Sequence, residues 1–167
     1  MSNIQNYLFN SNLIYFIKKH EGFKDKVYKC PAGSKTIGHG HRLLPYENYK
    51  SITKIEAKNL LIKDLSVIES QLQHTLKEED IYNKLKDCRK DAILSLCYNW
   101  GVARFAKSKL LSNIVVGDYE AAAKEFLDIN KVNRIPLKGL TIRRKEESIV
   151  FLHGWDSLEK YHYNNAN

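Results

Sequence analysis

The sequence predicts an α+β fold that is mostly helical, with one small β-hairpin sheet near the N-terminus. Three observations support this prediction. Apolar residues recur at helical spacing over most of the chain, glycines and short β-prone segments are concentrated between Lys26 and Leu44, and no repeat or low-complexity linker divides the 167 residues. That length suits one domain, or two small lobes that share a helix.

The first predicted elements are a helix and the hairpin. The helix runs from about Asn12 to His20 and is expected to end at Gly22. Its apolar side comprises Leu13, Ile14, Phe16 and Ile17. Between Lys26 and Leu44, two short extended segments flank a turn that contains proline and glycine.

The length of that turn decides where Cys30 and Thr36 point. A four-residue loop, 31–34, would pair Cys30 with Lys35 and direct Thr36 to the opposite face of the sheet. A five-residue loop, 31–35, would pair Cys30 with Thr36 and place both side chains on one face. A joint role for the two side chains requires the second arrangement, or a bulge that has the same effect.

Helices are predicted for most of the remaining chain. Thr53 and Glu56 have the spacing of a capping box, and apolar residues behind them predict a long helix from about residue 54 to 75. Gly101 ends the next apolar stripe, whose helix should be the most buried. The further helices are expected at about residues 88–100, 108–115, 118–129 and 140–153.

Asp64 interrupts the apolar stripe of the long helix. A buried carboxylate requires a partner, because burial without one is costly. His41 is the expected partner, with Arg42 as the alternative. If the first pair forms, the pKa of His41 should be raised.

The composition narrows the classes of function. A formal net charge of +8 indicates a polyanionic partner, which could be nucleic acid, an anionic membrane surface or the bacterial cell wall. No long Lys/Arg run suggests a nucleic-acid arm. No apolar run approaches the roughly 18–20 residues of a membrane span, so stable membrane insertion is not expected.

The N-terminal segment and the cysteine content favour synthesis in a cytoplasm. The short apolar run from Leu13 to Ile17 lacks the flanking residues of a secretory signal. The three cysteines, Cys30, Cys88 and Cys97, are an odd number and too few for a disulfide scaffold, so reduced thiols are expected. His39 and His41 do not indicate a metal site, because no third ligand lies at a suitable spacing.

The segment from His20 to Leu43 is the strongest candidate for chemistry. Glu21 lies where the first helix gives way to the hairpin, and Cys30 and Thr36 flank the turn. Glycosidic cleavage requires a general acid to protonate the leaving oxygen, and a second group that stabilises the cationic centre or activates water. Glu21 could supply the proton, and the hydroxyl of Thr36 could orient a water.

These residues resemble the signature of the phage lysozymes of glycoside hydrolase family 24. That signature is Glu, eight residues, Asp or Cys, five residues, then Thr, and Glu21, Cys30 and Thr36 have both spacings. The resemblance continues over residues 13–156. Its downstream segments are Tyr98-Asn99-Trp100-Gly101, Phe105, Ser108, Leu110-Leu111, Gly117-Asp118-Tyr119, Ala122-Ala123, Phe126, Gly139-Leu140, Arg143-Arg144 and Glu146.

The resemblance implies a lysozyme-like, single-domain architecture over residues 1–167. A β-containing lobe of about 21–53 would be joined by a connecting helix of about 54–75 to a helical lobe of about 76–163, with residues 1–20 packed on the helical lobe. Peptidoglycan glycan strands would lie in the cleft between the lobes. The implied reaction is hydrolysis of the β-1,4 linkage between N-acetylmuramic acid and N-acetylglucosamine.

The resemblance also implies the roles of individual residues. Glu21 would be the general acid, Thr36 would position water, and Cys30 would occupy the second catalytic position, by an inverting or a covalent route. Either Arg143 or Arg144 would approach Glu21 and hold it in place, and Arg143 is the preferred candidate. Tyr98, Asn99 and Ser108 are candidate sugar contacts, although Ser108 also has the position of a helix N-cap.

No cofactor and no metal are implied, and a monomer is expected. A separate holin-like membrane protein would release the enzyme from the cytoplasm of the bacterium to the cell wall.

Two other classes compete with an active muramidase. One is a lysozyme-fold protein that binds glycan without cleaving it, against which the presence of both Glu21 and Thr36 argues. The other is a basic nucleic-acid-binding protein, for which the sequence contains no motif and no helix that interleaves aromatic and basic residues. Chitin is a further possible substrate of the muramidase.

Overall fold

The computed structural model describes residues 9–30 and 33–166, and for Glu79 the backbone alone. The described chain is mostly helical with a small antiparallel sheet, which confirms the predicted α+β class. It divides into two compact units, Met1–Val67 and Ile68–Asn167. Each unit has its own buried apolar core.

The first unit begins with helix α1, Ser11–Glu21, whose bounds agree with the prediction to within a residue. The side chain of Asn10 caps its start by accepting a hydrogen bond from the N–H of Asn12 at 3.0 Å. At its end, Gly22 has φ +70° and donates its N–H to the carbonyl of Lys18 at 3.0 Å. Glycine adopts this conformation without the steric cost of a side chain, which explains the stop.

The sheet of the first unit has three antiparallel strands in the order β1-β2-β3. They are β1 (Lys24–Lys29), β2 (Lys35–Gly38) and β3 (His41–Arg42). In β1 and β2, Lys29 pairs with Lys35 and Tyr28 pairs with Thr36, and a β-bulge interrupts the register closer to Lys24.

Both predicted loop lengths are therefore wrong. The N–H of Cys30 donates to the carbonyl of Ser34 at 2.9 Å, and the N–H of Gly33 donates to the carbonyl of Cys30 at 2.7 Å. These two bonds close a tighter turn than either prediction allowed. Cys30 consequently pairs with neither Lys35 nor Thr36.

Helix α2, Lys54–Thr75, has the predicted bounds and the predicted capping box. Glu56 accepts the N–H of Thr53 at 2.7 Å, and the hydroxyl oxygen of Thr53 accepts the N–H of Glu56 at 3.2 Å. Its first turns supply Ala57 and Leu60 to a buried cluster with Ile37 and Ile52. Phe23, Val27, Leu43 and Tyr49 pack against this cluster.

The second unit is helical apart from one two-stranded ribbon. After a 3₁₀ turn at Glu78–Asp80, its elements are α3 (Ile81–Lys84), α4 (Asp87–Trp100), α5 (Val102–Phe105), α6 (Lys109–Val115), α7 (Tyr119–Asp128), β4 (Lys131–Val132), β5 (Ile135–Pro136), α8 (Lys138–His153) and α9 (Trp155–Ala166). The four helices predicted here are present within two residues at each end. As expected, α4 is heavily buried, with every residue from Asp91 to Cys97 in the interior. It packs against α8, which also contacts α7 and α9.

The division into units differs from the predicted lobe boundaries. Helix α1 falls in the first unit, with the sheet and the start of α2, whereas residues 1–20 were expected to pack on the helical lobe. Ile14 and Lys18 of α1 line one groove together with Lys58 and Ile62 of α2. The expected packing on the helical lobe stays a prediction.

Candidate active site

Glu21 is the last residue of α1 and is half-buried beside the hairpin. Burial raises the pKa of Tyr28 in β1, and the proximity of Glu21 and of Cys30 raises it further. The charges of Glu21 and Cys30 therefore act on the hydroxyl of Tyr28. The end of α1 and the end of β1 thus bring a carboxyl, a phenol and a thiol into one neighbourhood.

Cys30 and Thr36 lie on the same face of the hairpin, although they are not paired. Tyr28 pairs with Thr36, and paired residues of antiparallel strands share a face. Cys30 lies two residues beyond Tyr28, and its N–H continues the pairing onto Ser34, so strand alternation returns its side chain to that face. Cys30 and Thr36 therefore share a face, as a joint role would require, but through a strand register that the sequence did not predict.

Thr36 is 2% exposed, and its hydroxyl donates to the carbonyl of Ser34 at 3.2 Å. A hydroxyl has one proton and two lone pairs, so this bond leaves acceptor capacity on the oxygen. An oxygen held in this way can still accept a hydrogen bond from a water molecule.

An ion-pair cluster joins β3 to α2 within the first unit. His41 Nδ1 lies 2.8 Å from Asp64 Oδ2, and His41 Nε2 lies 2.9 Å from Glu47 Oε2. Hydrogen bonding to Asp64 raises the pKa of His41 against the opposing effect of burial, and Glu47 contributes in the same direction. The predicted pairing of His41 with Asp64 and the predicted rise in the pKa of His41 are both confirmed. The alternative prediction, in which Arg42 is the partner of Asp64, is wrong.

Glu47 is the member of this cluster that the sequence did not predict. Burial would raise its pKa, but the N–H of Leu44 at 2.8 Å and the imidazole of His41 hold it below the ordinary value. One carboxylate therefore caps the loop after β3 and pairs with the histidine on that strand. The cluster fixes the sheet against α2.

The predicted sugar contacts belong to the second unit. Tyr98 is half-buried near the end of α4, and the exposed Asn99 accepts a hydrogen bond from Arg144 Nη2 at 2.7 Å. Ser108 is the N-cap of α6, since its hydroxyl oxygen accepts the N–H of Leu111 at 3.1 Å. The N-cap role expected for Ser108 is confirmed, and the sugar-binding roles stay predictions.

Arg143 lies in a buried polar network between α8 and α4. It is 3% exposed, and it donates to Glu147 Oε1 at 3.1 Å and to the carbonyl of Ser95 at 3.2 Å. Arg144 pairs with the other oxygen of Glu147 at 2.7 Å, and Ser95 donates its hydroxyl to Glu147 at 2.6 Å. The buried carboxylate of Glu147 is tolerated because each of its oxygens lies within ion-pair distance of an arginine. The expected approach of Arg143 to Glu21 stays a prediction.

A family model described as phage lysozyme matches residues 18–147. The chain belongs to the phage lysozyme family. The endolysin of Acyrthosiphon pisum secondary endosymbiont phage 1 is 34% identical over 145 residues, which are 83% of this chain and 93% of that protein. The endolysin of Bacillus phage B103 is 32% identical over 143 residues, which are 84% of this chain and 52% of that protein, so the chain spans about half of that relative.

A solved structure agrees with the sequence relatives. The muramidase domain of SpmX from Asticaccaulis excentricus has a TM-score of 0.75 and 26% identity, with 86% of this chain and 97% of that chain covered. The lysozyme-like fold and the resemblance seen in the sequence are thereby confirmed. Membership in this family of lysozymes and endolysins supports a cell-wall lytic activity of the glycosidase type.

The match to the phage lysozyme model includes every candidate site residue, from Glu21 to Arg143. Sequence reasoning missed Tyr28 and the structural role of His39. The strand period could have found Tyr28, because it lies two residues before Cys30 on the same face. His39 was considered only as a metal ligand, and no local pattern reveals that its imidazole is hydrogen-bonded to the carbonyl of Gly22, directly after α1.

The described part of the chain contains no group of three or more His, Cys, Asp or Glu side chains arranged to hold a metal ion. Within residues 9–30 and 33–166, no helix is long and apolar enough to cross a membrane. Cys30, Cys88 and Cys97 all lie in the described residues, and none of them forms a disulfide.

Proposed function

We propose that this phage lysozyme hydrolyses the β-1,4 linkage between N-acetylmuramic acid and N-acetylglucosamine in bacterial peptidoglycan. One observation carries the proposal. Glu21, at the end of α1, lies near the face of the hairpin that holds Cys30 and Thr36, and this grouping falls within the family match. Glycosidic hydrolysis combines a carboxylic acid that protonates the leaving oxygen with a second group that activates water or stabilises the cationic sugar.

Glu21 acts as the general acid. It donates its proton to the glycosidic oxygen as the bond to the anomeric carbon breaks, so that the leaving sugar departs as a neutral alcohol. Its position as the last residue of a helix, half-buried, leaves its side chain accessible to a bound glycan.

Thr36 positions the attacking water. Its proton is engaged by the Ser34 carbonyl, so the hydroxyl oxygen accepts a hydrogen bond from the water and directs the water's lone pair toward the anomeric carbon. The proton that the water loses on attack passes to solvent, and the Glu21 carboxylate takes up a proton again before the next turnover. Cys30 occupies the second catalytic position, on the same face of the hairpin. It assists the water or stabilises the cationic sugar that forms as the bond breaks.

Tyr98, Asn99, Ser108 and Arg143 are proposed as contacts that hold the glycan or the acid. The proposed chemistry uses protein side chains and water, without a metal or cofactor. The enzyme acts as a monomer on the cell wall, after a separate membrane-permeabilising protein has given it access from the cytoplasm.

The test combines cell-wall clearance with product analysis. Wild-type protein should reduce the turbidity of permeabilised bacteria and release fragments with N-acetylmuramic acid at the new reducing end. Glu21→Gln keeps the size of the side chain and removes the proton donor, so turnover should fall by at least about a hundredfold. Melting temperature checks that the variant is folded.

Three outcomes would contradict the proposal. A folded Glu21→Gln protein that clears cells at the parental rate would refute the role of Glu21. Wild-type protein that sediments with peptidoglycan without releasing reducing ends would indicate a glycan-binding protein instead. New reducing ends on N-acetylglucosamine would assign a different bond.

A further inference from the structure

His39 lies in the turn between β2 and β3, and its imidazole reaches the end of α1. Its Nδ1 is hydrogen-bonded to the carbonyl oxygen of Gly22, 17 residues away in the sequence. A carbonyl oxygen can only accept, so the proton lies on Nδ1 and the imidazole donates. Gly22 directly follows Glu21, and its N–H is already bonded to Lys18. Both backbone groups of this glycine are therefore held.

The imidazole of His39 also packs against the next residue along the chain. The rings of His39 and Phe23 lie 5.5 Å apart between centroids, with an interplanar angle of 49°. His39 is 4% exposed, so the ring fills space as well as donating a hydrogen bond. One side chain from the β2–β3 turn thus contacts the two residues that follow Glu21.

The pKa of His39 is lowered from its ordinary value, which favours the neutral ring. Burial lowers its pKa, the bond to Gly22 and the carboxyl of Glu21 act against this, and Lys18 and Lys54 add to the lowering.

We propose that His39 is a positioning residue for Glu21. Its Nδ1–H fastens the Glu21–Gly22 corner to the strand that carries Thr36, three residues earlier in the chain. The separation between the proton donor and the water-binding hydroxyl is then set by this hydrogen bond. This role rests on the proposed functions of Glu21 and Thr36.

Three substitutions separate the hydrogen bond from the packing. His39→Phe keeps an aromatic ring against Phe23 and removes the donor. His39→Asn places an amide N–H close to the position of Nδ1 and restores the donor to Gly22. His39→Gln carries its amide one carbon further, so that it overshoots the carbonyl while remaining polar.

The readout is steady-state kinetics on soluble, uncrosslinked peptidoglycan glycan chains. Displacement of a catalytic group by about 1 Å costs up to about a hundredfold in rate. We expect His39→Phe and His39→Gln to lower kcat about tenfold or more, with KM within about twofold of wild type. His39→Asn should keep kcat within about threefold of wild type.

A matched control tests for a general effect of lost stability. Ile52→Val shortens a buried side chain in the core of the same unit and should lower the melting temperature while leaving kcat unchanged. Nitrogen-15 NMR of wild-type protein should show the His39 proton on Nδ1. This measurement holds even where His39→Phe fails to fold.

If the wild-type protein is active and the folded His39→Phe variant keeps the parental kcat, the proposed role of His39 is overturned. It is equally overturned if His39→Asn is as slow as His39→Gln, or if the NMR signal places the proton on Nε2. A wild-type protein that leaves the glycan uncut refutes the proposed function, and with it this role. In that case an Nδ1 proton would still show that the hydrogen bond itself exists.

Discussion

At the scale of single residues, Cys30 occupies a position at which the phage lysozyme signature has either aspartate or cysteine. A thiol and a carboxylate differ in chemistry, so the role of this side chain can be tested by exchange. Cys30 lies on the Tyr28–Thr36 face of the hairpin and is half-buried, so it can meet a substrate without carrying much of the core. If it assists water or stabilises charge, an aspartate at this position can do the same. A structural role would instead favour a small apolar replacement.

Cys30→Asp is expected to retain substantial activity, whereas Cys30→Ala should lose about tenfold or more, because the stabilising group is removed while Glu21 and Thr36 remain. Neither change should alter the melting temperature greatly. Turnover and melting temperature of the two variants decide between the roles. A fully active Cys30→Ala together with an unstable Cys30→Asp would show that Cys30 only fills space.

The cost of adding a side chain at Gly38 can be expressed as a change in the free energy of unfolding. Gly38 has φ +67°, and an added Cβ would lie 3.0 Å from Ile52 Cδ1 and 3.1 Å from the Cβ of Ala57. Gly38→Ala should therefore cost both backbone strain and overpacking, about 2–4 kcal/mol in the free energy of unfolding. Urea denaturation measures this loss.

Gly117→Ala is the matched control for that prediction. Gly117 has a similar φ of +77°, but among the described residues no heavy atom lies within 4 Å of its added Cβ. Only backbone strain of about 1–2 kcal/mol should remain. Equal losses for the two variants would mean that contact with Ile52 and Ala57 contributes nothing.

At the scale of elements, the cluster of His41, Asp64 and Glu47 fastens β3 to α2, and its strength depends on pH. The pKa of His41 is raised above 6.5, so its contribution to stability is full below pH 6.5 and is lost as pH rises through the folded pKa. The pKa of Glu47 is lowered from 4.5, so its contribution is full above pH 4.5 and is lost as pH falls through the folded pKa. The cluster should stabilise most between these two values.

His41→Asn should lower the free energy of unfolding by about 1–3 kcal/mol inside that window and by less above it, because neutral histidine loses the charge-assisted part of both bonds. Urea denaturation of both proteins from pH 4 to pH 9 measures the difference. A deficit that is constant across the range would show that packing of the ring, and not its charge, is responsible.

Elements that depend on local signals were predicted well. Gly22 sets the C-terminal end of α1, and the Thr53–Glu56 capping box sets the N-terminal end of α2. Both signals act over one helical turn. The hairpin register was not predicted, because it depends on the bonds that Cys30 makes to Gly33 and Ser34. Period-two reasoning still applies once that register is known.

Two other features were beyond local reasoning. The β4–β5 ribbon turns through Asn133 and Arg134, both with positive φ, and arginine gives no sequence signal for that conformation. His39 finds its acceptor 17 residues away, where only the folded backbone brings Gly22 into reach. Long-range partners of single polar side chains leave no periodic trace in a sequence.

At the scale of the whole molecule, charge is distributed unevenly between interior and surface. The two arginines buried in the second unit, Arg143 and Arg144, are both paired with Glu147. Most lysines are exposed, and they account for much of the net charge of +8. The excess positive charge is therefore available to attract a polyanion, as expected for a protein that acts on bacterial cell walls.

The net charge is expected to act in attraction to the wall and not in the chemical step. Raising ionic strength from 0.01 to 0.1 M shortens the Debye length from about 30 to about 10 Å, so activity on whole cell walls should fall over this range. A short soluble glycan oligomer carries little of the wall's negative charge, and its hydrolysis should respond much less. Initial rates on both substrates, measured with one enzyme stock across the salt series, test this division. Equal salt dependence for wall and oligomer would contradict it, since screening would then be acting on the catalytic residues themselves.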